Sequence, residues 1–166
     1  MTTDFQGLLR TLDAGGVEFV VVGGYSAMLH GGSQMTRDVD VVCPMHDVGV
    51  KKLHAALNDL HPCHRMNPDC RPFSQRDLDR GGWKNLYLRT DLGVLDCLGE
   101  VLGVGDYPAC AARSIQLDLG GGLLVSVLEI TALIEAKRAL GRARDLVTAE
   151  ELELIRGRKE KETPRE

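Results

Sequence analysis

Two carboxylates stand two residues apart at the mouth of an apolar, β-branched run, Asp38-Val39-Asp40-Val41-Val42-Cys43, which Pro44 ends. In a strand, side chains two apart share a face, so Asp38 and Asp40 point one way while Val39 and Val41 point into a core. Carboxylates held this close repel each other unless a cation or a proton sits between them. Any fold that takes up this strand must meet that demand. Asp96 lies in a second such strand, Val94-Leu95-Asp96-Cys97-Leu98, with apolar neighbours on both sides. A charge there is costly unless it is at the strand end, paired or liganded. Placed beside the Asp38 strand, it completes a three-carboxylate site. The plainer account lets Asp38 cap a turn, pairs Asp40 with Arg37 and leaves Asp96 in a loop, since Asp-x-Asp often occurs by accident.

The surrounding chain alternates helical and extended signals. Thr3 and Gln6 have capping-box spacing, and Phe5, Leu8, Leu9 and Leu12 follow at helical intervals up to Gly15-Gly16. Val17 to Val22 reads as an inner strand that breaks at Gly23-Gly24, with a short helix from Tyr25 to His30. Asp47 is placed to cap a helix with Val50, Leu53, Leu57 and Leu60 on its buried stripe. Residues 61–80 are polar and proline-containing, and read as an irregular excursion with a turn of helix after Ser74. Leu86 to Arg89 and Val94 to Leu98 make a hairpin, as do Ile115 to Leu119 and Leu123 to Val127 around Gly120-Gly121-Gly122. Ser126 with Glu129, and Thr148 with Glu151, have capping-box spacing for two last helices. The expected fold class is α/β (α+β), a mixed β-sheet flanked by helices. Residues 1–156 form one domain in this reading, and the charged tail at 157–166 is disordered.

Composition limits the classes. With 166 residues and 43% hydrophobic content the chain suits one globular core, filled mainly by aliphatic side chains because it has only three Phe, three Tyr and one Trp. A net charge of −4 argues against a sequence-independent DNA-coating surface, but a local Arg and Lys cluster or a cation can still neutralise phosphates. No stretch approaches the roughly 20 apolar residues that span a bilayer, and no basic segment leads into an apolar run, so no membrane and no export are expected. The five cysteines, irregularly spaced, do not make a disulfide framework, and a reducing cytoplasm is the simplest compartment.

The segment VVGGYSAMLHGGSQMTRDVDVV resembles the signature of the polymerase-beta-like nucleotidyltransferase superfamily. There a hydrophobic strand enters a Gly-Gly or Gly-Ser turn, an Asp-x-Asp strand follows after roughly a dozen residues, and a third acidic residue lies on a later strand. TDLGVLDCLGEVLGVGDYPACAARS and VSVLEITALIEAKRALGRARDL look like later portions of small bacterial proteins related to the toxin component of abortive-infection toxin–antitoxin systems. The resemblance spans roughly residues 15 to 155. It implies a nucleotidyltransferase fold, with Gly23 and Gly24 at the nucleotide-phosphate turn and Asp38, Asp40 and Asp96 as both metal ligands and catalytic carboxylates. Lys137, Gly141, Arg142, Arg144 and Asp145 match a later Lys-helix and Gly-Arg-x-Lys/Arg-Asp segment. Relatives often carry a basic residue a few places before the Asp pair, where this chain has Gln34.

The implied chemistry moves a nucleoside monophosphate from a nucleoside triphosphate to a hydroxyl acceptor and releases pyrophosphate, with Mg (or Mn) as cofactor. Magnesium suits a carboxylate set because it prefers oxygen ligands in octahedral geometry. Arg37, Lys137, Arg142 and Arg144 are candidate phosphate contacts. Tyr25 and Ser26 are candidates for phosphate or base, since the amino-terminal amides of their helix can receive phosphate. Against these, a cation in a helix's last turn is favourable anyway and pairs with Glu135 or Asp145, and Tyr25 packs equally well as a half-buried ring. The expected acceptor is tRNA or a protein side chain, with a cognate antitoxin as partner. The competing reading is a catalytically silent nucleotide- or metal-binding module of the same fold, acting in a complex. His61, Cys63, His64 and Cys70 also suggest structural zinc by ligand type, though their spacing matches no common zinc motif.

Overall fold

In the computed structural model, which describes residues 2–163, α1 (Phe5–Ala14) buries Leu8, Leu9 and Leu12 along one stripe. Its cap is Asp4, whose Oδ1 accepts from the Gly7 N–H at 2.8 Å. The Thr3–Gln6 box does not form. Thr3 donates its hydroxyl to the Arg37 carbonyl at 2.6 Å, and Gln6 donates its amide to the Leu119 carbonyl at 3.2 Å.

β1 (Val20–Val22) runs directly into α2 (Gly23–Leu29), so the two glycines open the helix rather than precede it. β2 (Asp38–Val42) follows, then α3 (Asp47–Leu57), which His46 caps in place of Asp47: its Nδ1 accepts from the Gly49 N–H at 3.1 Å. After a helical turn at Asn58–Leu60 come β3 (Cys63–His64) and α4 (Gln75–Arg80). The hairpin β4 (Asn85–Thr90) and β5 (Gly93–Leu98) forms as expected. The short pair β6 (Glu100–Val101) and β7 (Gly105–Asp106) leads into α5 (Tyr107–Ala112). β8 (Ser114–Asp118) and β9 (Leu124–Leu128) make the second large hairpin, and α6 (Ile130–Leu140) and α7 (Ala143–Glu162) close the chain.

The architecture is mixed α and β, with one large mixed sheet flanked by helices. The sheet has seven strands in the order β3-β4-β5-β2-β1-β9-β8, and β2–β5 and β1–β9 pair in parallel. Strand alternation divides the core between the two faces. Val21, Val39, Val41 and Leu95 pack with α1 and α3, while Val20, Val22, Val42 and Leu128 pack with α5, α6 and α7. Fully buried leucines such as Leu53, Leu95 and Leu133 each contribute roughly 1.5–3 kcal/mol by leaving water. Asp38, Asp40 and Asp96 alternate with the first set, which puts all three on the α6 side of the sheet.

Neither late capping box read from the sequence forms, because each capping residue is taken up by another partner. Ser126 lies within β9 and accepts from Gln116 Nε2 at 2.6 Å, and α6 starts at Ile130 with the Glu129 carboxylate turned to Arg113. Thr148 is inside α7 and donates back to the Arg144 carbonyl at 2.9 Å, four residues earlier. α7 also continues to Glu162, so residues 157–162 are helical rather than disordered; their Arg, Lys and Glu are good helix formers. The rest of the expected tail, 164–166, lies outside the described residues. No helix among the described residues is long and apolar enough to cross a membrane.

Residues 61–80 are more tightly tied than their composition suggests. Cys63 and Cys70 form one disulfide, although the irregular cysteine spacing gives no disulfide framework. The sulfurs are bonded to each other, which removes the donors a zinc site at this loop needs, and cysteine usage no longer argues for a reducing compartment. Ser74 and Asp77 form a capping box at α4, and buried Asp77 takes a two-pronged ion pair from Arg71, Nη2–Oδ1 at 2.7 Å and Nη1–Oδ2 at 3.1 Å.

Candidate functional site

Asp38 and Asp40 occupy alternate positions of β2, and β5 runs parallel beside it with Asp40 directly opposite Asp96. The row extends across the sheet: Val22 lies opposite Asp40, Tyr87 opposite Asp96, and the Arg65 N–H donates to the Tyr87 carbonyl at 3.0 Å. In-register neighbours share a face, so one line of side chains runs from Val22 through two carboxylates and a phenol to Arg65. This line floors a cleft of about 830 Å³ whose lining also includes Gly23, Gly24, Arg37, Lys137, Arg142 and Arg144.

Gly23 packs tightly against the Asp40 carboxylate. Its φ is +67°, and a Cβ there would stand 2.2 Å from Asp40 Oδ2. The position therefore disfavours a side chain twice, by backbone conformation and by space. The Gly24 N–H donates to Asp40. Even so, the Asp40 carboxyl is pushed up to about 7, first by burial, then by the charges of Asp96 and Asp38; Lys137 and the Gly24 N–H offset this only in part.

Asp96 differs. It is buried, and the Arg65 guanidinium takes both its oxygens, Nε–Oδ1 at 2.9 Å and Nη2–Oδ2 at 2.5 Å. Arg65 also lies 5.5 Å from the Tyr87 ring centroid. The expectation that Asp96 is paired, liganded or terminal is met by pairing. Consistent with that engagement, no group of three or more His, Cys, Asp or Glu side chains among the described residues is arranged to hold a metal ion. Asp38 and Asp40 nevertheless suit a hard divalent cation, because burial and two like-charged neighbours disfavour the ionised Asp40, and a cation offsets both.

The cationic wall is partly committed. Lys137 is buried and donates to Asp145 Oδ1 at 3.2 Å; Arg142 donates to Asp145 Oδ2 at 2.5 Å. The Arg142 and Lys137 bonds hold the Asp145 carboxyl below its ordinary range although burial works the other way. Arg37 and Arg144 are exposed, line the cleft and make no ion pair among the described residues. Tyr25 and Ser26 do not border the cleft. Tyr25 stacks on Phe5 with ring centroids 4.5 Å apart, and the Ser26 hydroxyl is fully buried without a hydrogen-bond partner among the described residues. The seven-residue α2 turns both toward the interior.

Arg65 and Tyr87 are site residues that sequence reasoning missed. Arg65 sits in a segment with no periodic signal, and only the pairing of β3 with β4 and of β4 with β5 carries it to Asp96. Asn85, one alternate position from Tyr87, donates to the Tyr87 hydroxyl at 3.3 Å and accepts from the Gly99 N–H at 3.1 Å. Compared with known proteins, the chain matches no family model, and no curated protein matches it either.

Proposed function

We propose that this chain is a metal-dependent nucleotidyltransferase of the polymerase-beta-like kind, moving a nucleoside monophosphate from a nucleoside triphosphate to a hydroxyl acceptor. The observation that carries the reading is the shared face of Asp38, Asp40 and Asp96 on adjacent parallel strands, at the floor of a cleft with cations on its walls. Asp38 and Asp40 are the residues that would hold Mg or Mn, joined by Asp96 on the acceptor side. Such a cation, when bound, supplies Lewis-acid charge to the triphosphate and lowers the pKa of the attacking hydroxyl.

The chain's own groups do the rest. Gly23 and Gly24 line the cleft beside Asp40, where main chain without side chains would receive phosphate oxygens. Arg37 and Arg144 present guanidinium forks to the cleft, and such forks fit phosphate oxygens. Lys137 faces Asp40 from α6, and Asp145 fixes the position of its ammonium. Arg142 shares that anchor. A hydroxyl of tRNA or of a protein side chain is the acceptor class this reading favours, with a cognate antitoxin as a partner that would cover the cleft.

Incubating the protein with each labelled nucleoside triphosphate, Mg or Mn, and total RNA or cell lysate tests it directly. Label transferred to RNA or protein in a cation-dependent manner supports the reading; no transfer from any nucleotide removes it. One observation favours the second reading, a catalytically silent nucleotide- or metal-binding module: Arg65 already neutralises Asp96. Under that reading, nucleotides with Mg raise the melting temperature while no label moves.

A further inference from the structure

Arg65 lies inside a closed loop. Cys63 and Cys70 bracket it, seven residues apart and joined by their disulfide. The His64 N–H donates to the Arg71 carbonyl at 2.8 Å and the Phe73 N–H to the Pro62 carbonyl at 2.8 Å, so the bond staples the two strands of a hairpin. Residues 66–69 at its tip are exposed and both cysteines are half-buried. From this hairpin the Arg65 fork reaches across Tyr87 to both oxygens of Asp96, and its charge also faces Asp38 and Asp40. The pair is partly shielded, at 26% exposure for the Arg65 side chain and 8% for Asp96, so solvent screens it less than a surface ion pair.

We propose that Arg65 is a positioning residue that withholds Asp96 from a divalent cation, and that the Cys63–Cys70 bond sets how firmly it does so. This rests on reading Asp38, Asp40 and Asp96 as a cation site. With the disulfide closed, the short loop fixes the Arg65 backbone, and little entropy is lost in keeping the fork on Asp96. A dithiol opens it: one thiolate attacks a loop sulfur and the S–S bond breaks. The second thiol then resolves the mixed disulfide. The reductant leaves as a cyclic disulfide, having given two electrons and two protons, and Cys63 and Cys70 remain as thiols. The freed loop loosens the fork, and Asp96 joins Asp38 and Asp40 in offering oxygens to the cation. Ion and guanidinium compete for the same two oxygens, so weakening one strengthens the other.

Mn binding, read from the electron paramagnetic resonance signal of free ion, tests this without any activity assay. The forms compared are the oxidised protein, the reduced protein after dithiol removal, Cys63→Ser/Cys70→Ser, Arg65→Gln and Arg65→Lys. The expected result is roughly tenfold tighter binding in the reduced and the serine forms than in the oxidised protein. Arg65→Gln should bind tightly in both redox states, and Arg65→Lys, which keeps charge but loses the fork, should fall between. Equal affinity of oxidised and reduced protein overturns the proposal while leaving the cation site standing. Absence of Mn binding in every form, each shown folded by circular dichroism, overturns the cation site and this proposal with it.

Discussion

Asp40 and Asp96 stand opposite each other on parallel strands, and of the two only Asp96 is held in an ion pair among the described residues. Arg65 engages both oxygens of Asp96, whereas Asp40 has a single Gly24 N–H and the more distant Lys137 to set against burial and two neighbouring carboxylates. The same substitution at these two positions should therefore act in opposite directions on the cation-free protein.

Asp40→Asn should stabilise the protein at pH 7 in the absence of divalent cation. Its carboxyl rises from 3.8 to about 7 on folding, so ionised Asp40 costs the folded state about 2–3 kcal/mol after allowing for solvent in the cleft. Urea unfolding in a chelator measures this. The same variant should lose cation-dependent nucleotide transfer, because Asn replaces a hard anionic ligand by a neutral amide. Unchanged transfer would sink the assignment of Asp40 to the reaction.

Asp96→Asn should destabilise by about 1–3 kcal/mol, since the partly shielded Arg65 guanidinium is left without its anion. In function it should impair the transfer step more than triphosphate affinity, because its proposed role is on the acceptor side. Calorimetric titration with Mg and a non-hydrolysable triphosphate, run beside the transfer assay, separates these. Equal loss of triphosphate affinity in the Asp38, Asp40 and Asp96 variants would remove that division of labour.

Gly23→Ala should cost about 1–3 kcal/mol, from a left-handed φ and from a Cβ driven into the Asp40 carboxylate. A double-mutant cycle with Asp40→Ala isolates the second part. Removing the carboxylate should relieve some of the Gly23→Ala cost, giving a coupling above roughly 0.5 kcal/mol. Strict additivity would mean that Gly23 answers only to its backbone conformation.

The carboxylate face was legible because strand alternation is a local rule. Val39 and Val41 on one side and Asp38 and Asp40 on the other follow from spacing alone, and Asp96 between Leu95 and Cys97 obeys the same rule. The buried stripes of α1 and α3 were legible for the corresponding helical reason. What failed were short patterns whose outcome depends on distant partners. Thr148 has the spacing of a cap, yet Asp145, held by Lys137 and Arg142, places the helix start earlier. Tyr25 follows a glycine pair whose sequence reads as a phosphate turn, yet Phe5, from a different helix, takes its ring. Arg65 is the extreme case: two successive strand pairings separate it from Asp96, and no periodicity in residues 61–80 points there.

The last prediction separates the two perturbed carboxyls by pH. Burial alone would raise Asp77, but the Arg71 fork, the Ser74 N–H and His64 outweigh it and hold the carboxyl at about 2, below its ordinary 3.8. A folded pKa below the unfolded one means stabilisation that is fully present above about pH 4 and lost as pH falls through 2. Asp77→Asn should thus cost about 1–2 kcal/mol at pH 7, discounted because the Arg71 side chain is 38% exposed. Asp40 has the opposite sign. Its folded pKa lies above the unfolded value, so its ionisation penalty is absent below about pH 4 and grows until pH passes 7. Urea unfolding of wild type, Asp40→Asn and Asp77→Asn at pH 7.5, 4 and 2 resolves the two windows. The Asp40→Asn advantage should vanish between pH 7.5 and 4 while the Asp77→Asn deficit persists, and that deficit should then shrink by pH 2. A deficit unchanged at pH 2 would assign the Asp77 effect to packing rather than charge, and an Asp40→Asn advantage that survives at pH 4 would mean that neither burial of the ionised carboxylate nor its repulsion by Asp96 and Asp38 is the cause.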